Sequence, residues 1–108
     1  MYGLAAVDAR GRVADHVIMR ALGWRAGSRL AIRVSNGLIL ITVGDGRLGV
    51  TGQGHVRLPS AIRHGCGIQP GDRVLLVAEP SEGVLPVHPP ATLDTIFSRF
   101  RDDMANVA

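Results

Sequence analysis

The chain has 108 residues, of which 46% are hydrophobic, so it is long and apolar enough to form one folded domain and too apolar for a disordered chain. All 12 basic residues are arginines; against 9 acidic residues they give a net charge of +3, which hints at an anionic partner such as nucleic acid. The single cysteine excludes an intrachain disulfide, and no apolar stretch has the length that spans a bilayer, so we expect a cytoplasmic protein without a membrane partner.

The first half of the chain predicts two strands, a short helix and two further strands. An apolar segment at 4–7 ends in the turn Asp-Ala-Arg-Gly, and a short strand follows around Val13. About two helical turns then lead to the turn Gly-Trp-Arg-Ala-Gly at 23–27. Longer strands at 29–34 and 38–43 are joined by Ser-Asn-Gly, so this half predicts a mainly β fold.

The second half of the chain repeats the first. Laid side by side, segments 7–34 and 50–77 place Gly11 on Gly54 and, after a shift of one residue, Gly27 on Gly71. Strands at 48–50, 73–77 and 84–87 and a helix after Pro59 take the same order as in the first half. We therefore predict a tandem duplication with repeats at 3–43 and 47–88.

Neither repeat is large enough to form a core alone, so the two must share one. The prediction is a single β-barrel over residues 1–88, built from two ββαββ repeats with pseudo-two-fold symmetry. The expected core comprises Leu4, Val7, Val13, Leu30, Ile32, Leu38, Leu40, Leu48, Val50, Val56, Val74, Leu76, Val84 and Val87.

The two short helices are expected to begin differently. Pro59 suits the first helical position, because its φ is fixed and it has no N–H to leave unpaired. The first repeat lacks this proline, and Asp15 is expected to cap its helix by accepting a hydrogen bond from a free backbone N–H.

Residues 89–108 predict a C-terminal amphipathic helix after the sequence His-Pro-Pro. The sequence leaves three roles open for its apolar side: packing on the chain's own barrel, a homodimer contact, or a surface that binds a toxin protein. This apolar side, the α3 stripe, comprises Leu93, Ile96, Phe97, Phe100 and Met104.

Residues 54–74, GHVRLPSAIRHGCGIQPGDRV, resemble the signature of the AbrB/MazE/SpoVT swapped-hairpin family. The first repeat keeps Val7, Asp8 and the Gly-Arg-Val at 11–13 but lacks the Leu-Pro. In that family two copies interleave hairpins into a barrel that binds DNA, and the tandem arrangement is similar to that of the MraZ regulators. The resemblance therefore implies a swapped-hairpin barrel and a transcription regulator acting on double-stranded DNA, associated with the nucleoid.

Family members contact DNA from the Gly-Arg turn and from basic residues that open the short helix. At one of these positions His55 replaces the usual arginine, so we expect asymmetric and pH-sensitive binding. An ordinary solvated surface is the alternative for these side chains. The expected DNA contacts are Arg12, Arg20, His55, Arg63 and His64, with Arg10 and Arg57 beside them.

No arrangement of acid, base and nucleophile indicates an enzyme, and the histidines and the cysteine have no metal-ligand spacing, so we expect neither catalysis nor a cofactor. Cys66 stands at a position where the family has an aliphatic residue, which favours a small buried hydrophobic side chain over a nucleophile. Two other functions stay open: an antitoxin of the MazE type that binds its toxin through the C-terminal helix, and a barrel that has lost DNA binding and serves as an interaction module.

Overall fold

The computed structural model describes residues 1–44 and 46–105. Within them the chain forms eight strands and three helices, in the order that the sequence predicts. The elements are β1 (Tyr2–Ala6), β2 (Arg12–Val13), α1 (His16–Leu22), β3 (Arg29–Ser35), β4 (Leu38–Val43), β5 (Leu48–Gly49), β6 (Val56–Arg57), α2 (Ser60–Gly65), β7 (Arg73–Val77), β8 (Val84–His88) and α3 (Pro90–Ala105).

The fold is mixed rather than mainly β. Strands make up 35% and helices 28% of the described residues, because α3 alone contributes 16 helical residues. The last three residues of the predicted C-terminal helix, 106–108, lie outside the described residues. None of the helices that the structure describes has both the length and the apolar character needed to cross a membrane.

Six strands form one antiparallel sheet in the order β1-β7-β8-β4-β3-β5, and β2 pairs with β6 in a separate two-stranded ladder. The large sheet is curled into a half-barrel. The pseudo-symmetric barrel of two repeats that the sequence predicts goes beyond this and stays a prediction. Strands β1 and β5 are its two edges. The pairs β1–β7, β4–β8, β3–β5 and β2–β6 each join the first half of the chain to the second.

One hydrophobic core lies inside the curled sheet and takes side chains from both halves of the chain. The prediction assigned the wrong face of β4 to it: Ile39 and Ile41 are fully buried, whereas Leu38 and Leu40 are only half-buried. Leu4 is also wrong, since it is 56% exposed and Ala5 takes the inward position. Of the other predicted core residues, three are half-buried: Ile32, Leu48 and Val84. The remaining eight are buried, as predicted: Val7, Val13, Leu30, Val50, Val56, Val74, Leu76 and Val87.

The two short helices begin by different means. Asp15 is the N-cap of α1, and its Oδ1 accepts a hydrogen bond from the Ile18 N–H at 3.0 Å, which confirms the predicted cap. Pro59 lies one residue before α2 rather than at its first position, with φ −57° and ψ 146°. These extended angles are compatible with its ring and carry the chain from β6 into the helix.

α3 leaves the sheet directly after β8. Its first turn is held by Pro89, which is fully buried, and by a 3.4 Å hydrogen bond from Thr92 Oγ1 to the Gly37 carbonyl in the β3–β4 turn. Leu93 is half-buried. Beyond it the stripe does not pack on the chain's own sheet, since Ile96, Phe97, Phe100 and Met104 are 43–62% exposed.

Candidate nucleic-acid interface

The β2–β6 ladder brings two of the predicted arginines side by side. Arg12 pairs with Arg57, and Val13 pairs with Val56, in antiparallel register. Directly opposite residues share one face of a ladder. Since both valines are buried, the two arginines lie on the outward face, where Arg57 is exposed and Arg12 half-buried.

The turn before β2 holds Arg12 through Asp8. Asp8 Oδ1 accepts hydrogen bonds from the backbone N–H groups of Arg10 (2.9 Å) and Arg12 (2.8 Å). Its Oδ2 accepts one from Arg12 Nε at 2.6 Å, which forms an ion pair. The Arg12 backbone N–H bond, with the other Arg12 and Arg10 contacts, lowers the pKa of Asp8 to about 2 despite an opposing effect of burial. Arg12 is therefore oriented by a carboxylate that stays ionised at neutral pH.

The turn before β6 has the same backbone geometry with neutral chemistry. Gly54, like Gly11, has φ +80°, a left-handed conformation that glycine adopts without a Cβ clash. The His55 N–H donates to Thr51 Oγ1 at 3.1 Å, so a hydroxyl stands where the first turn has the Asp8 carboxylate. The two turns thus present an arginine–aspartate pair on one side and a threonine–histidine pair on the other.

Two hydrogen bonds and the packed side chain of Arg63 fasten the first turn to the second half of the chain. Arg57 Nε donates to the Arg10 carbonyl at 3.1 Å, and Arg63 Nε donates to the Leu58 carbonyl at 3.0 Å. The Leu58 N–H donates to the Gly11 carbonyl at 2.9 Å. The Arg63 side chain lies so close over Gly11 that a Cβ there would collide with its guanidinium. Arg63 is half-buried, packed over Gly11 while its Nε is bonded to Leu58.

The second turn lies beside α1. His55 is half-buried, and its Nδ1 has no hydrogen-bond partner among the described residues. The ring centroid of His55 is 6.4 Å from that of His16, the first residue of α1. A shallow cleft at this place is lined by His16, Met19, Arg20, Gly23, Trp24, Arg25 and Gly54.

The structure changes the expected position of the helical residues. Arg20 lies in the last turn of α1, and Arg63 and His64 lie in the last turn of α2, so none of them opens its helix. The reason is that the helices begin at His16 and Ser60, three or four residues before these basic residues, and are only about two turns long. Arg20 and His64 are exposed.

Sequence reasoning missed several residues that shape this surface. His16 comes next to His55, Gln53 Oε1 lies 3.4 Å from Arg12 Nη1, and Arg25 lines the cleft. A partial indication of two of them was present in the sequence, because Gln53 directly precedes the aligned Gly54 and His16 directly follows the predicted cap Asp15. Their proximity depends on strand pairing between the halves, which local patterns do not encode.

Cys66 packs against the core and is half-buried, and burial raises the pKa of its thiol. A thiol with a raised pKa is a weak nucleophile at neutral pH, in agreement with its reading as a small hydrophobic residue. Over residues 1–44 and 46–105, no three His, Cys, Asp or Glu side chains come together in a group that could hold a metal ion.

Trp24 is buried at 5% exposure, and its Nε1 lacks a hydrogen-bond partner within the part of the chain that the structure describes. It packs against the core where α1 turns toward β3.

Comparison with known proteins finds no matching protein-family model, no similar curated protein and no similar solved structure. The candidate interface therefore stands on its own geometry.

Proposed function

We propose that this chain is a sequence-specific DNA-binding transcription regulator of the AbrB/SpoVT type. The observation that carries the proposal is the pair of neighbouring arginines, Arg12 and Arg57, on the outward face of the β2–β6 ladder. Arginine forks bind phosphate oxygens and can pair with the O6 and N7 of guanine, so two of them side by side suit the edge of a duplex. Arg10, whose carbonyl accepts a hydrogen bond from Arg57, and Arg20, which lines the cleft with Gly54, are both exposed.

The proposal includes a swapped-hairpin architecture with two repeats. Support comes from strand pairing across the halves: β1 pairs with β7, while β5 pairs with β3, so the first strand of each repeat joins the third strand of the other. Aligned glycines also share backbone angles, with φ +87° at Gly27 and +88° at Gly71. An approximate two-fold axis through the β2–β6 ladder would place the two Gly-turns on opposite sides of it.

The two halves would not bind DNA equally. The first turn presents Arg12 held by Asp8, whereas the second presents His55 held by Thr51. An arginine is charged at every physiological pH and offers a planar fork of donors that matches a phosphate. In this proposal the first half supplies the stronger contact. A duplex-DNA partner would place the chain at the nucleoid, in the cytoplasm.

Salt dependence of DNA binding tests the proposal. Gel shifts with a fragment from upstream of the chain's own gene, and with an unrelated duplex of equal length, are measured over a series of salt concentrations. A DNA-binding protein loses affinity steeply as salt rises, because it releases counterions from the phosphates it neutralises. A regulator also prefers the upstream fragment. Negligible binding at low salt would refute the proposal and favour a barrel that serves only as an interaction module.

A second candidate function is that of an antitoxin that binds a toxin protein through α3. The exposed α3 stripe is the observation that favours a protein partner, since Phe97 and Phe100 are 58% and 62% exposed. A gene for a ribonuclease-like protein beside this one, and a stable complex of the two products, would support it. Absence of such a complex when both are expressed together would count against it.

A further inference from the structure

The chain carries a second uncovered apolar surface besides the α3 stripe. Tyr2 pairs with Val77 and Leu4 pairs with Leu75 across β1 and β7. The alternate residues Val74 and Leu76 are buried, so these four side chains face outward. Tyr2 is 76% and Leu4 56% exposed. We call this set, Tyr2, Leu4, Leu75 and Val77, the β1–β7 patch.

The corresponding surface of the other half carries two arginines. With the repeats aligned, Leu4 corresponds to Arg47 and Val77 to Arg33, and both arginines are exposed. Leu75 corresponds to Ala31. The same sheet position is thus basic on one side of the half-barrel and apolar on the other. An apolar patch present on only one of two similar halves indicates an interaction surface rather than a requirement of the fold.

The chain's own α3 contacts β7 but leaves Tyr2 and Leu4 of this patch exposed. Only Pro89 separates β8 from α3, which begins with Pro90. Proline fixes its own φ and restricts the residue before it, so His88, Pro89 and Pro90 set the direction of the helix. Pro89 is fully buried, and Thr92 is bonded to Gly37.

We infer that the α3 stripe docks on the β1–β7 patch of a second copy of this chain, reciprocally, to form a dimer. Each copy supplies one helix and one patch, so a single two-fold arrangement covers both surfaces of both chains. The exposed parts of Tyr2, Leu4, Ile96, Phe97, Phe100 and Met104 amount to apolar surface on the order of 700 Å² per copy. Two such contacts bury roughly 1,400 Å², within the range of specific stable interfaces.

The test measures the mass of the full chain by light scattering after gel filtration over a concentration series, with a dissociation constant from sedimentation. The wild type is expected at twice 11.4 kDa. Leu4→Arg, which introduces the residue type of the aligned position, and Phe100→Asp should each raise the Kd about 100-fold or more, because each buries an unpaired charge. Val17→Arg is the matched control: Val17 is 68% exposed on α1, outside both surfaces, and its variant should stay dimeric. Far-UV circular dichroism spectra should be alike for all three variants, which shows that each is folded.

Mixing the two disrupted variants sharpens the test. A Leu4→Arg chain keeps its stripe and a Phe100→Asp chain keeps its patch, so a mixed pair retains one intact contact of two. Mixed dimers should therefore form with a Kd between those of the wild type and the single variants. A Leu4→Arg chain that dimerises like the wild type would overturn the inference in favour of stripe-to-stripe pairing. A wild type that stays monomeric throughout the series would overturn it as well, and would leave the stripe to a protein of another sequence.

Discussion

Gly11 and Gly54 occupy matching turns and have the same φ of +80°, yet their surroundings differ. A Cβ at Gly54 meets no atom within 4 Å, whereas a Cβ at Gly11 meets the Arg63 guanidinium. Gly54→Ala should cost about 1–2 kcal/mol from backbone strain alone. Gly11→Ala should cost about 1–3 kcal/mol more, because Arg63 must also move.

Urea denaturation of both glycine variants measures this difference. An Arg63→Ala background provides the control, since it should remove most of the extra cost at Gly11 and leave the cost at Gly54 unchanged. Equal destabilisation by the two single variants would show that Arg63 does not constrain the first turn.

Asp8 predicts a pH dependence of stability. Its pKa is lowered from 3.8 to about 2 in the folded chain, so its unfolded form takes up a proton first as the pH falls. The stabilisation from ionised Asp8 is therefore complete above about pH 4 and is lost as the pH falls toward the folded pKa. Asp8→Asn should lower Tm at neutral pH, and the difference from the wild type should shrink below pH 4.

Thermal unfolding of the wild type and Asp8→Asn at pH 7, 5, 4 and 3 tests this directly. Asp72→Asn serves for comparison. Asp72 Oδ2 also accepts a backbone hydrogen bond in a surface turn, from the Gln69 N–H, but among the described residues it forms no ion pair with an arginine. A Tm difference for Asp8→Asn that stays constant over the whole pH series would contradict the assigned pKa.

At the scale of single elements, the positions of the strands could be predicted, but the inward faces of β1 and β4 could not. The run Leu-Ile-Leu-Ile-Thr-Val of β4 is apolar at consecutive positions, so its period-two pattern is compatible with either face. Register with β8, which pairs Ile39 with Val87 and Ile41 with Leu85, decides it. The prediction for β1 failed for a related reason. Leu4 is larger and more hydrophobic than Ala5, so the sequence predicts that it is the buried one of the two, but the chain buries Ala5.

The burial of β4 gives a prediction at two adjacent positions. Ile39 is fully buried and Leu40 half-buried, so Ile39→Ala should destabilise the fold by about 2–5 kcal/mol and Leu40→Ala by at least about 1 kcal/mol less. Equilibrium denaturation of the two variants measures both values. If Leu40→Ala were the more damaging, β4 would have the opposite face toward the core.

The helices show what local chemistry does and does not encode. Asp15 as a cap follows from the side chain alone and is found in the structure. Whether Arg20 and Arg63 lie in the first or the last turn depends on where each helix begins. In helices this short, a shift of the cap by a few residues moves them from one end to the other.

At the scale of the whole molecule, the internal repeat predicted the order of elements and a single core shared by both halves. It did not predict that the large sheet stays a half-barrel with edges at β1 and β5. Nor did it predict the direction of α3, which is set by Pro89 packing at the end of β8. The candidate interface was likewise only partly visible, because the neighbourhood of Arg12 and Arg57 arises from pairing residues far apart in the chain.

The central claim is that the β2–β6 ladder binds duplex DNA, and paired charge-removing variants test it most directly. Arg57→Gln changes the ladder, whereas Arg33→Gln removes the same charge from an exposed position of β3 in the large sheet. Fluorescence anisotropy with the upstream fragment should give about tenfold weaker binding for Arg57→Gln and a salt slope smaller by about 1. Arg33→Gln should bind like the wild type. Equal losses for both variants, or none for Arg57→Gln, would contradict the claim.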